Sequence, residues 1–147
     1  MSEQKKYTLE YGILALVLAG AAFLIIQMQV QDVLMCKRLF RGLIEADMQV
    51  QKNIDWAHLK AVGKNVGAEY LTMRGSKRKA QYRQLFIQYF GQGFKAQKSK
   101  FEDFVNWRIY SKDLTKVVVA ADYPAHKKTM LFTFSRVLHT LNDIRWK

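Results

Sequence analysis

Residues 11–30 read "YGILALVLAGAAFLIIQMQV", and no charged side chain interrupts them. Three readings compete: a membrane span, a secretory signal that is later removed, or the core helix of a globule. The stretch matches the roughly 20 residues that a helix needs to cross about 30 Å of hydrocarbon. A core helix would carry a polar stripe at helical spacing, and none exists between Tyr11 and Ile26. Ala19-Gly20-Ala21 has the small-x-small character of a cleavage site, with Lys5 and Lys6 as a basic leader. Glu3 and Glu10 offset those lysines, however, and the apolar run continues through Phe23-Leu24-Ile25-Ile26. An uncleaved anchor is therefore expected, with Gln27, Gln29, Gln31 and Asp32 at the headgroups. Cys36 does not fit a lipid-attachment site, because bulky Met35 precedes it.

Lys5, Lys6 and the terminal amine before the span nearly balance Lys37, Arg38 and Arg41 after it, so the positive-inside rule leaves orientation level. A short tail followed by a long folded segment is the usual arrangement of a tail-inside, domain-outside protein. A single-pass protein of a bacterial inner membrane, with an extracytoplasmic domain, is expected.

Gly12, Ala15, Ala19 and Ala22 share one smooth face of the span. Such a face suits close packing against a second helix, in a homo-oligomer or with another membrane protein.

Composition constrains the remainder. Of 147 residues half are apolar, 13% are aromatic and one is proline, which excludes a disordered tail. A lone cysteine excludes an internal disulfide framework. The tail and span carry no net charge, so the whole formal +12 belongs to the segment after Val30. That segment should seek anionic surfaces, with lipid headgroups the nearest.

From Gln31 to Val50, Val33, Cys36, Phe40, Leu43, Ile44 and Met48 recur at helical spacing and predict a stalk that docks on the domain or on a partner. Asp55 then reads as the cap of a second helix with the stripe Leu59, Val62, Val66, Tyr70 and Met73, stopped by Gly75. Gly63 and Gly67 would lie on one face of it and allow close approach. A third helix starts at Ser76 and presents Tyr82, Leu85, Phe86, Tyr89, Phe90 and Phe94, closed by Gly91 and Gly93. Beyond Lys100 the period becomes two. Val105, Trp107 and Ile109 alternate with Asn106 and Arg108, and three further strands come after them in "TKVVVAADY", "TMLFTFS" and "NDIRWK". The expected architecture is α+β: a tail at 1–10, a transmembrane helix at 11–30, a stalk at 31–52, and at 53–147 two helices on a four-stranded antiparallel meander.

This order, with "NWRIYSKDLTKVVVAADY" and "KTMLFTFS", resembles the cone-shaped nuclear transport factor 2-like fold over roughly Asn53 to Lys147. A short cytoplasmic tail, one span and an extracytoplasmic cone is also the layout of the inner-membrane assembly subunits of type IV secretion systems. The resemblance implies an interaction or assembly module at the membrane surface. Related cones act as isomerases and dehydratases, so an alternative is a small-ligand cone with Asp122 as general base beside Arg108 and Asn106. The competing reading is a strand-end ion pair.

His58, His126 and His139 lack metal-motif partners, and no cofactor is implied. The densest basic cluster is Arg74, Lys77, Arg78, Lys79 and Arg83 at a helix start, where cations oppose the dipole. An anionic partner would account for it, and so would a solvated turn. Aromatics suited to base stacking are missing there except Tyr82, which weakens nucleic acid as the partner; cytoplasmic nucleic-acid binding through this patch is a further alternative only if the domain faces the cytoplasm.

Overall fold

A computed structural model describes residues 3–147; the first two residues of the expected tail lie outside the described residues. The chain forms two compact units, Met1–Asp32 and Val33–Lys147. Helix α1, Glu3–Ile44, runs through the boundary between them, so the described part of the tail is helical.

In the first unit every described residue from Glu3 to Met28 is exposed. The helix contains one stretch long and apolar enough to cross a membrane, and none of that stretch is buried.

The second unit begins inside the expected stalk. Cys36, Leu39, Phe40, Leu43 and Ile44 of α1 are buried in its hydrophobic core, so this segment is a core helix of the domain. The helix stops where Ala46 turns left-handed (φ 55°) and the Asp47 N–H donates to the Gly42 carbonyl. Asp47 then caps a 3-10 turn, Met48–Asn53, by accepting from the Gln49 N–H at 2.9 Å.

The second predicted helix is half wrong. Its first part forms a small hairpin, β1 (Lys60–Ala61) and β2 (Lys64–Asn65), and α2 is only Val66–Thr72. Gly63 (φ 83°) and Val62 (φ 49°) both take the positive φ that a two-residue hairpin turn requires. A β-branched residue resists that conformation, and the Val62 N–H is held by the Ile144 carbonyl at 2.7 Å. Asn65 caps α2 by accepting from the Ala68 N–H. Gly63 therefore makes a turn, while Gly67 does serve close approach: a Cβ there would meet the Ala57 carbonyl oxygen at 2.3 Å.

Helix α3 spans Ser76–Ala96. Gly75 (φ 84°) stands at the cap position expected of Ser76. Gly91 does not end the helix but lets it cross the end of α1, since a Cβ would lie 2.9 Å from the Ile44 carbonyl oxygen. Tyr82, Phe86, Phe90 and Phe94 pack against the core, whereas Leu85 and Tyr89 are exposed.

Four longer strands complete the chain: β3 (Val105–Lys112), β4 (Lys116–Tyr123), β5 (Lys128–Ser135) and β6 (Thr140–Trp146). The sheet has six strands in the order β2-β1-β6-β5-β4-β3, and it is mixed, because β1 runs parallel to β6. The expectation of a four-stranded antiparallel sheet is corrected accordingly. Two-residue strands carry no readable period, so β1 and β2 are recognisable only through their partners.

Alternation sorts the sheet. Val117, Val119, Ala121, Tyr123, Met130, Phe132 and Phe134 join the core, and Val118, Asp122, Thr129 and Thr133 stand on the opposite face. The expected alternation in β3 fails at its start: Asn106 is left-handed (φ 53°), the register shifts between Val105 and Arg108, and Val105 is exposed. Phe40 lies at the centre of the core, with ring centroids 4.7 Å from Phe132, 4.8 Å from Phe104 and 5.7 Å from Phe94.

Candidate functional site

The structure brings Asp122 and Arg108 together, but on the face of the sheet away from the core. One Asp122 oxygen accepts from the Thr129 hydroxyl at 2.9 Å and lies 3.1 Å from the Arg108 guanidinium; the other accepts from the Asn106 amide at 2.9 Å. Arg108 also donates to the Asn106 carbonyl oxygen at 2.8 Å. The Asn106 amide first, then the Thr129 hydroxyl and the Arg108 guanidinium, hold the Asp122 carboxyl below its usual 3.8. A general base needs a raised affinity for protons, and this carboxylate has the reverse. The network clamps the β3 bulge onto β4 and β5. On the core-facing side, Phe40 is completely buried among aromatic rings.

The basic cluster divides in two. Arg83 is structural: its Nε donates to the Gln51 side chain at 3.2 Å and its Nη1 to the Tyr70 hydroxyl at 3.1 Å, tying α3 to the 3-10 turn and to α2. Lys79 lies over the Tyr70 ring, 5.3 Å from its centroid. Arg74, Lys77 and Arg78 are exposed. Beside them, Lys64 pairs with Glu69 at 2.9 Å, and a hydrogen bond from Lys64 holds the Glu69 carboxyl down. Tyr82 is pushed up to about 12 by burial and by the Glu69 charge. An anionic partner would thus meet Arg74, Lys77 and Arg78, with Lys79 and Arg83 fixing the helix that carries them.

On α1, a Cβ added at Gly12 would meet nothing within 4 Å, and Ala15, Ala19 and Ala22 are exposed. Cys36 is completely buried, and burial pushes its thiol well above the usual range. His58 pairs with Asp55 at 3.0 Å, His126 stacks on Tyr123, and His139 is exposed in the β5–β6 turn. Among the described residues no group of three or more His, Cys, Asp or Glu could hold a metal ion.

Two features have no counterpart in the sequence pattern. Ser99 and Tyr123 share a buried 2.6 Å hydrogen bond, which fastens the segment after α3 to the end of β4. At the other end of β4, Leu114, Val137 and Leu138 are exposed by 93%, 73% and 68% on two adjacent hairpin turns. Aliphatic residues inside turns were the available signal for that patch, although only the folded sheet shows that the two turns are neighbours.

The chain matches no protein-family model, no curated protein and no solved structure.

Proposed function

We propose that residues 11–30 form a permanent membrane span and that Val33–Lys147 is a basic α+β module which binds partners at the membrane surface. The observation that carries this reading is an apolar helical stretch of spanning length with none of it buried. In water, the large aliphatic residues from Ile13 to Ile26 would each leave between 51% and 74% of their surface exposed, at about 25 cal/mol per Å² of apolar area; a bilayer removes that cost.

Removal of the stretch as a signal fits less well, because the same unbroken helix goes on to supply Phe40 and Leu43 to the core. Cleavage after Ala21 would leave the exposed apolar run Ala22–Ile26 at the new terminus ahead of the domain. The proposed orientation places the domain outside the cytoplasm.

The likeness to a membrane-anchored nuclear transport factor 2-like cone remains part of the proposal, supported by the order of the elements. Binding in place of catalysis is supported by a depressed Asp122 carboxyl fully engaged by its neighbours. The module's charge would select an anionic partner, with exposed Arg74, Lys77 and Arg78 as the candidate contact and not nucleic acid.

Alkaline carbonate extraction of membranes tests the anchor, which should leave the chain in the pellet. Release into the supernatant, or a mature chain beginning at Ala22 by mass spectrometry, would overturn it. Protease treatment of spheroplasts tests the orientation: digestion of the domain without cell lysis is expected.

A further inference from the structure

We propose that the two hairpin turns at the Lys116 end of the sheet dock on an anionic lipid bilayer, with Leu114, Val137 and Leu138 entering the boundary between headgroups and acyl chains. The turns act as one surface. The Arg136 backbone N–H donates to the Thr115 carbonyl at 2.8 Å, and its guanidinium donates to the Asp113 carbonyl at 3.0 Å, so the β3–β4 and β5–β6 turns are tied side by side.

Both turns are held in shape from within. Asp113 accepts from the backbone N–H groups of Thr115 and Lys116, each at 2.7 Å, and the Ser135 hydroxyl accepts from the Leu138 N–H at 3.2 Å. A loose loop could fold its aliphatic side chains back against the sheet. These turns instead display them, with Leu114 almost fully exposed, and exposed aliphatic clusters on a polar rim mark interaction sites.

Charge identifies the occupant. Exposed Lys112 and Lys116 flank Leu114 on the β3–β4 turn, and the carboxylate of Asp113 between them is turned inward onto its own turn. Aliphatic tips beside exposed lysines match the interface of an anionic membrane, which offers acyl chains beneath negative headgroups. The inference rests on the proposed anchor only in that the anchor would keep such a bilayer within reach.

The test uses the full chain reconstituted in vesicles of phosphatidylglycerol and phosphatidylcholine. An environment-sensitive fluorophore is attached to Leu138→Cys, to Leu114→Cys or, as a control, to Gln97→Cys near Ser99 at the far end of β4. Buried Cys36 stays unlabelled. Blue-shifted emission and quenching by spin-labelled lipid are expected at 114 and 138 and not at 97. Equal, weak quenching at all three positions would overturn the proposal, and is the result a surface reserved for a protein partner or a second copy would give. Lys112→Glu with Lys116→Glu should lower the quenching at 138, and an unchanged signal would overturn the anionic requirement. Carbonate extraction of the same vesicles reports on the anchor separately, so its failure is distinguishable from failure of the tips to dock.

Discussion

The ring of Phe40 on α1 stands 4.7 Å from that of Phe132 on β5 and 4.8 Å from that of Phe104, which precedes β3. A helix that begins as an exposed apolar stretch thus ends as a structural part of the domain. Phe40→Ala should cost about 3–5 kcal/mol of unfolding free energy, read from denaturant midpoints, because the cavity it leaves is lined by aromatic rings that cannot collapse into it. A chain beginning at Asn53 should fail to fold, and one beginning at Gln31 should give a cooperative transition. Similar transitions for the two would remove α1 from the core.

Three glycines form a matched series. Gly67→Ala and Gly91→Ala should destabilise, since their Cβ atoms would approach the carbonyl oxygens of Ala57 at 2.3 Å and Ile44 at 2.9 Å. Gly93→Ala, with nothing within 4 Å, should stabilise by up to about 1 kcal/mol through helix propensity alone. Thermal melts of the three variants check the ordering.

Asp113 and Asp122 are held below 3.8 in the folded chain, and Glu69 below 4.5. Groups depressed on folding contribute stability above their unfolded values and lose it as pH falls through the folded ones, so stability should decline with acidification below about 4.5. Carboxyl titration by NMR should place Asp122 below its usual 3.8 when Asn106 is intact. Asn106→Gly preserves the left-handed backbone while deleting the amide donor, and should move Asp122 upward; an unmoved titration would show that the contact does not set its acidity.

The split of the basic cluster predicts two distinct phenotypes. Arg83→Ala should lower stability by about 1–3 kcal/mol, because it strands the Gln51 and Tyr70 acceptors. Lys77→Glu with Arg78→Glu should leave the melting temperature nearly unchanged while weakening, in a salt-dependent way, attachment to an anionic partner. Melting curves and binding measured across ionic strength separate the two.

Cys36 should resist thiol reagents in the folded chain and react on unfolding, since burial both shields the sulfur and disfavours the thiolate. Reaction at native rates comparable to a free thiol would place α1 outside the core.

Local patterns were enough to find the apolar stretch, the long third helix and the positions of β3 to β6, because each is a run whose side-chain period repeats several times within one element. The candidate pair Arg108 and Asp122 was legible in the same way, through shared parity on neighbouring strands. Which side of the sheet they occupy was not, because parity divides residues into two faces without saying which one the helices cover. The hairpin of β1 and β2 was hidden for a related reason: two residues have no period, and only the parallel pairing with β6 holds Val62 in its unfavourable conformation. The roles of Gly91, Arg83 and the paired turns likewise depend on partners distant along the chain. Periodicity therefore determined which segments are helices and strands, and contacts between distant segments determined what each face touches, since a side chain's surroundings are set by packing that no local window contains.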